Sequence, residues 1–339
     1  MKLCSGMDLH SNTTHIAIMD EKRQRLIDRK VRNDPELILR FLEPYRASLE
    51  GIVVESTYNW YWLVDTLRDQ AYRVHLAHPV ANQQYHGLKH SDDRHDAFWL
   101  AELLSLGVLK EGYIYPRELR SVRDLLRKRL QLVGYRTAMI LSVKHVIHRN
   151  RGIIVEASQI KRLGKEGWAE ILKGDEALWL AARSSKEAMD CLTQQIQGIE
   201  RWVLRRVKLE EPFSRLLSLP GVGEILGMTI LLETGPMERF PKVSQYASYG
   251  RLVSSQWTSN DKVKGRGNVR NGNRYLAWAY SEASDHARRH DPLCRAFYNR
   301  KLNQRGHRVA HKALAHKLAR AAYFILRDHE VYREEKMFS

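Results

Sequence analysis

Leu3-Cys4-Ser5-Gly6-Met7-Asp8-Leu9-His10 decides how the first third of this chain folds. It is a short, largely apolar run that carries an acid near its end, and a second apolar run, His15-Ile16-Ala17-Ile18, follows closely. Short runs of this kind read as strands, and the pattern predicts strands over 3–8, 14–19 and 25–31 in a hairpin-linked meander. Working outward, Pro35 opens a helix expected over 35–49, with Leu37, Ile38, Phe41 and Leu42 at helical spacing. Gly51 breaks it, and Gly51-Ile52-Val53-Val54-Glu55 is a short buried strand, again closed by an acid. A helix over 59–70 places Trp62, Leu63, Thr66 and Leu67 on one face. A strand over 73–77 stops before Pro79, and a helix over 92–106 has an acidic first turn and Gly107 as its stop. Three strands followed by alternating helix and strand is a mixed α/β sheet. The pattern leaves the strand order open.

Four acids stand out in that frame: Asp8 and Glu55 on strands, Asp93 and Asp96 in the helix that opens Asp92-Asp93-Arg94-His95-Asp96-Ala97. Asp93 and Asp96 are three apart and share a helix face. Asp92 is four from Asp96 and does the same, so spacing alone does not choose between Asp92 and Asp93. A solvated acidic cap would also account for the helix pair. Acids at strand ends beside a core are costly unless paired, protonated or bound to metal. Converging carboxylates repel, and a divalent cation relieves them. Such a site, on a basic protein, points to phosphodiester chemistry.

The basic character is strong. The 339 residues carry 56 Lys and Arg against 39 Asp and Glu, a formal charge of +17, which fits a nucleic-acid partner. Apolar residues make up 43%, near the lower edge of globular usage, and the length allows two or three domains. No apolar run approaches the roughly 18 residues needed to span a bilayer. The amino terminus has Lys2 but neither the apolar core nor the cleavage site of a leader. The expectation is a soluble intracellular protein. Cys4, Cys191 and Cys294 are odd in number, with no CxxC, which argues against a disulfide framework or zinc ribbon.

Residues 111–210 read as mainly helical, with Leu119, Leu126, Val133, Ile140 and Ile147 recurring every seven residues. Arg129 and Arg136 interrupt the companion seam, so a packed helical hairpin and an intermolecular coil both fit. Gly152, Gly164, Gly167 and Gly174 mark a looser connection before helix returns over 176–207. Leu219-Pro220-Gly221-Val222-Gly223 has the turn pattern of a helix-hairpin-helix element, whose glycines let backbone approach a phosphate. An ordinary tight turn between packed helices also fits. Beyond Arg274 helical periodicity dominates, and 308–325 is a basic amphipathic helix with Val309, Leu314, Leu318, Ala321 and Ala322 toward the core.

Between these lies Trp257-Thr258-Ser259-Asn260-Asp261-Lys262-Val263-Lys264-Gly265-Arg266-Gly267-Asn268. Lys262, Lys264, Arg266, Arg270 and Arg274 follow the serine, and interspersed Gly and Asn suggest a flexible loop suited to wrapping a phosphate backbone. A serine there either hydrogen-bonds a phosphate or attacks it, and Ser254 and Ser255 are rivals for the role.

Taken in order, Gly6-Met7-Asp8, Glu55-Ser56-Thr57 with Trp60-Tyr61-Trp62, Lys89 with Asp93-Arg94-His95-Asp96-Ala97, Leu219–Gly223, Ser259-Asn260 and Gly267-Asn268-Val269-Arg270-Asn271-Gly272-Asn273 make a specific set. The chain resembles the DEDD transposases of the IS110 insertion-sequence family, most of all its IS1111 branch, over nearly its whole length. Met7 departs from the β-branched residue common before the first aspartate. The resemblance implies a RuvC-like, ribonuclease-H-type domain over 1–110, a helical or coiled-coil assembly region over 111–210, and a mainly α transposase domain over 211–339 with the helix-hairpin-helix element and a catalytic serine. It selects Asp93 and Asp96 over Asp92 and places the nucleophile at Ser259. Asp8, Glu55, Asp93 and Asp96 would hold Mg²⁺, with Mn²⁺ as a substitute, while Gly221, Gly223, Lys262, Lys264, Arg266, Arg270 and Arg274 would hold nucleic acid. It further implies donor and target DNA, a non-coding guide RNA, and a homodimer or tetramer with active sites shared between protomers. The setting would be the prokaryotic cytoplasm, at the nucleoid, without a membrane. Two other readings use the same residues: a Holliday-junction resolvase that hydrolyses with metal-activated water, and a non-catalytic nucleic-acid-binding protein.

Overall fold

The computed structural model describes residues 2–82, 92–162, 164, 167, 170–206, 211–253, 257–260, 262–265 and 271–338. They form two compact units, Met1–Arg117 and Glu118–Ser339.

In the first unit, β1 (Leu3–Leu9), β2 (Thr13–Asp20) and β3 (Arg25–Arg32) form the expected antiparallel meander. Then β4 (Leu49–Glu55) and β5 (Val74–Ala77) join in parallel on the other side of β1, giving the order β3-β2-β1-β4-β5. Side chains alternate across a strand, so β1 feeds two different cores. Met7 and Leu9 pack with Ile16, Ile52, Val54 and with Ile38, Leu42, Leu63 and Leu67 from the helices α1 (Pro35–Leu42) and α2 (Trp60–Asp69). Cys4, Ala17 and Met19 meet Ala97, Phe98 and Ala101 of α3 (Asp93–Ser105) on the opposite face. Each fully buried Leu or Ile contributes about 1.5–3 kcal/mol. Covered on both sides, the parallel half of the sheet is largely buried.

Helix α1 is shorter than the 35–49 expected. It is capped by Asp34, whose side chain accepts from the Glu36 and Leu37 amides, and it ends at Leu42. Pro44 follows, with no amide hydrogen to continue the ladder, and Glu43–Tyr45 closes as one 3₁₀ turn. The next strand consequently starts at Leu49 rather than Gly51.

The second unit is mainly helical. Its first long helix, α4 (Arg117–Arg151), runs antiparallel to α6 (Glu176–Arg206), with the short α5 (Ala157–Arg162) between them. Arg129 pairs with Glu200 at 2.6 Å, and the hydroxyls of Ser142 and Ser185 lie 3.4 Å apart. The two helices therefore pack as an intramolecular hairpin. Of the sevenfold series, Leu126, Ile140 and Ile147 are buried, Val133 is half-buried and Leu119 is exposed. The better seam is on α6, where the buried residues Ala182, Met189, Ile196 and Val203 recur every seven positions.

The rest of the unit comprises α7 (Glu211–Leu216), α8 (Glu224–Thr234), α9 (Val243–Tyr249), a ribbon of β6 (Trp257–Ser259) and β7 (Lys262–Gly265), then α10 (Arg274–His290), α11 (Pro292–Arg305), α12 (His307–Asp328) and α13 (Glu334–Phe338). The buried face of α12 is shifted by one residue from the expectation at its start. Ala310 is buried and Val309 is exposed, because Ala310, Leu314, Leu318 and Ala322 recur every four residues and put Ala310, not Val309, on the core face. Among the described residues, no helix is long and apolar enough to cross a membrane. Cys4, Cys191 and Cys294 are all free thiols.

Candidate active site

The acid site is built by two adjacent parallel strands and one helix. The register of β1 against β4 pairs Met7 with Val54, so the next residues, Asp8 and Glu55, lie side by side at the carboxyl ends of their strands. Asp8 is on the α3 face of the sheet, in phase with Cys4 and Gly6. Gly6 lets α3 come close. A Cβ there would lie 1.9 Å from the Ala97 carbonyl oxygen and 2.8 Å from the Ala101 amide nitrogen. Helix backbone thus rests directly on strand backbone, which brings the first turn of α3 to Asp8.

In that turn the roles of Asp92 and Asp93 separate. Asp92 is the N-cap, accepting from the His95 amide at 2.8 Å. Asp93 faces the site: its Oδ1 is 3.1 Å from His10 Nε2, and its Oδ2 accepts from Lys30 Nζ at 3.3 Å. The same His10 nitrogen is 3.1 Å from Asp8 Oδ2, so one imidazole sits between two carboxylates. Asp8, His10 and Asp93 can each turn one ligand atom to within 4.8 Å of the others.

Electrostatics brings in Glu55 and Asp96. Burial is the main reason the Asp8 carboxyl is raised; His10 and a hydrogen bond with Glu55 oppose that, while Asp93 and Asp96 add to it. Glu55 is pushed up to about 7, first by burial, then by the charge of Asp8 and the hydrogen bond with it, with Asp96 adding. Burial also acts to raise Asp93, but hydrogen bonds from Lys30 and His10 outweigh it and hold this carboxyl low. The four acids therefore share one field. The donors are almost entirely carboxylate oxygens, which suits a hard divalent cation such as Mg²⁺ or Mn²⁺. Asp8, Asp93, Glu55 and Asp96 would hold such an ion, with His10 beside them.

Sequence reasoning missed His10 and Lys30. His10 was within reach, since a residue two beyond Asp8 points to the same side of an extended chain. Lys30 was not. It aligns with the site only through the register Asp8–His15–Lys30 across three strands.

The serine region belongs to the second unit, and part of it is a ribbon rather than a loop. Ser259 ends β6 and pairs with Lys262 across the turn, where Asn260 adopts a left-handed φ of 49°. Opposed residues share a face and alternate residues return to it, so Ser259, Lys262 and Lys264 lie on one side of the ribbon. All three are exposed. At the base of this excursion the chain is tied down. Arg251 Nε donates to the Gly272 carbonyl at 2.8 Å, and Lys312 Nζ to that of Val253 at 3.2 Å. Asn273 caps α10 through the Tyr275 and Leu276 amides and donates to the buried Glu233 at 2.7 Å. Arg127 of α4 holds the same Glu233 in a two-pronged pair of 2.6 and 2.7 Å. Arg274 is exposed and stacks its guanidinium on Tyr275. Arg266, Arg270, Ser254, Ser255, Lys89 and Asp261 lie outside the described residues.

Gly221, in the turn before α8, has φ +78°, and a Cβ there would lie 2.2 Å from the Ala283 carbonyl oxygen. Its close approach is to the backbone of α10. Gly223 precedes α8 with open space around it.

The DEDD transposase family model of IS110 matches residues 5–149, and the model of the transposase IS116/IS110/IS902 family matches residues 213–299. The chain belongs to the IS110 family of transposases. The DEDD match contains all four acids, and the second match contains Ser259 and the turn at Gly221. This IS110-family chain is 25% identical over 256 residues to the transposase for insertion sequence element IS1111A of Coxiella burnetii, covering 71% of the chain and 68% of that protein. It is 27% identical over 224 residues to a probable family 20 transposase of Pseudomonas aeruginosa, 64% of each. It is 31% identical over 162 residues to an IS900 uncharacterized 42 kDa protein of Mycobacterium paratuberculosis, covering 46% of the chain and 39% of that protein. The matched share of the last two is less than two thirds of their length.

Proposed function

We propose that the chain is an insertion-sequence transposase that works as an RNA-guided, site-specific DNA recombinase, with Ser259 as nucleophile and Asp8, Glu55, Asp93 and Asp96 as the holders of Mg²⁺. The observation that carries this reading is the convergence of four acids from β1, β4 and α3. The mixed five-stranded sheet with acids at the ends of adjacent central strands supports the RuvC-like, ribonuclease-H-type reading of 1–110. The helical hairpin supports 111–210 as an assembly region, and the remainder, 211–339, is the domain that bears the serine. The turn at Gly221–Gly223 is kept as a helix-hairpin-helix candidate, with Gly223 the residue free to face a phosphate.

In this scheme the Ser259 Oγ attacks phosphorus, forming a phosphoserine bond as one DNA oxygen leaves with a proton. A DNA hydroxyl later reverses the step and takes the phosphate back, so no external energy source enters. Lys262 and Lys264, on the same ribbon face as Ser259, attract the phosphate and favour the alkoxide. A divalent cation, when bound, polarises the phosphoryl oxygens and stabilises the developing charge. Lys30 and His10 hold Asp93 ionised and oriented. Donor and target DNA, a guide RNA, a homo-oligomer with shared active sites and a cytoplasmic setting at the nucleoid complete the reading.

The four acids all belong to the Met1–Arg117 unit, and that favours one second reading, a RuvC-like endonuclease that hydrolyses without the serine. One experiment separates the two. The full-length protein is incubated with labelled element-end DNA in Mg²⁺ and scored for protein–DNA adduct, strand exchange and binding. Ser259→Ala is expected to lose adduct and exchange while binding DNA normally, and Asp8→Asn to lose all cutting. Continued cutting by Ser259→Ala selects the endonuclease. Normal recombination by Asp8→Asn removes the acid site from the mechanism.

A further inference from the structure

A cavity of about 360 Å³ lies between the end of α12 and the segment that folds back after it. Lys317, Arg320, Phe324 and Arg327 recur along α12 at spacings of three and four, so they share one face. His329, at φ 56°, ends the helix in a left-handed turn. The returning chain is pinned by the Tyr332 amide to Ser218 Oγ at 2.9 Å, by the Lys317 amine to the Met337 carbonyl at 2.6 Å, and by the burial of Met337. These anchors hold the cavity open. None of its lining residues belongs to the acid site or to the ribbon that carries Ser259.

Its lining is cationic and aromatic together. Two ion pairs, Arg327 with Asp328 and Lys336 with Glu330, use both acids of the lining. Among the described residues, Lys317 and Arg320 have no carboxylate partner, and burial together with Arg320 and Arg300 holds the Lys317 amine below its ordinary range. An anion would relieve that crowding. Phe324 is 37% exposed, with the Arg327 guanidinium 4.8 Å from its ring centre. A free phosphate or an acidic peptide would use the cations and leave this ring idle. A nucleobase uses both, because aromatic faces stack any base while nearby cations hold the backbone. The volume lies at the lower end of the roughly 300–1,000 Å³ usual for ligand sites, room for one nucleotide.

We propose that this cavity binds an unpaired nucleotide of a single-stranded nucleic acid, its base stacked on Phe324 and its phosphate held by Lys317 and Arg320. The site is independent of catalysis, and its test needs no turnover. Trinucleotides carrying 5-iodouridine or 5-iodo-deoxyuridine are photocrosslinked to the full chain and the adduct is mapped by mass spectrometry. The adduct is expected on Phe324 or Tyr332. Phe324→Leu, which keeps the apolar bulk, and Arg320→Gln, at an exposed position, should each weaken trinucleotide binding about tenfold, the scale of one lost stacking or phosphate contact, with an unchanged melting temperature. Binding of either sugar series supports the site, and their ratio identifies RNA or DNA as the source. Adducts confined to other segments, wild-type affinity in both variants, or displacement by hexaglutamate or inorganic phosphate as effective as by trinucleotide would overturn it.

Discussion

The acid site and the serine ribbon are built in opposite ways. Asp8 is only 4% exposed and stands on a central strand, with α3 pressed backbone to backbone at Gly6. Ser259 stands at the tip of a two-stranded ribbon, exposed beside Lys262 and Lys264. Acids that share a cation must keep their spacing to fractions of an ångström, and buried strands supply that. In the proposed mechanism the attacking hydroxyl must instead reach a large polyanion, and an exposed hairpin anchored at its base supplies that reach.

The comparison breaks first at glycine. Gly6→Ala forces α3 off β1, because the new Cβ would overlap the Ala97 carbonyl. The expected result is a loss of about 3 kcal/mol in denaturant unfolding, the upper end of overpacking costs, together with loss of all DNA cutting. Gly265→Ala on the ribbon meets no atom of the described residues within 4 Å and should stay within about 0.5 kcal/mol of the parent. Equal effects at the two positions would erase the distinction between a packed site and an open one.

A smaller effect sharpens the electrostatic half. The Glu55 carboxyl is raised to about 7, above its unfolded value near 4.3. A group raised in this way binds its proton more tightly in the folded state. Its stabilisation is therefore complete below about pH 4.3 and is lost as pH climbs through 7. In chelator, stability should fall across that window by roughly 1 kcal/mol, after discounting for solvent screening at a half-buried group. Glu55→Gln should flatten the curve, and saturating Mg²⁺ should reverse the loss. A pH-independent stability in chelator would mean that the acids do not crowd one another.

The smallest effect belongs to the ribbon. Charge reversal at Lys262, Lys264 and Arg266 should leave folding unchanged and reduce the salt dependence of nucleic-acid binding by roughly 0.9 per lost phosphate contact. An unchanged slope would detach the ribbon from the phosphate backbone.

The same contrast explains what was legible in the amino-acid sequence. The meander and the strand acids Asp8 and Glu55 followed from apolar runs that end on carboxylates, since burial imposes a regular pattern, whereas helical spacing left Asp92 and Asp93 open and the family resemblance selected Asp93. Errors arose where a local signal had to be weighed against another. Pro44 cut α1 short although Leu37, Ile38, Phe41 and Leu42 kept helical spacing. Ala310 took the core position in place of Val309 because helical phase with Leu314, Leu318 and Ala322 outweighed hydropathy. The ribbon carries a loop-like pattern, since lysines and glycines mask strand character even though Asn260-Asp261 is turn chemistry. Lys30 needed a pairing register that no single strand encodes.

The network that ends at Asn273 has a mechanical consequence. Asn273 is the root from which the serine excursion returns to α10, and Glu233 bolts it to Arg127, in the first third of α4. Torque applied to that helix by a neighbouring molecule would reach the base of the ribbon through one ion pair and one hydrogen bond that meet on the same carboxylate. In the proposed mechanism a lesion at Arg127, which is neither an acid of the site nor part of the ribbon, would then be felt as a misaimed hydroxyl.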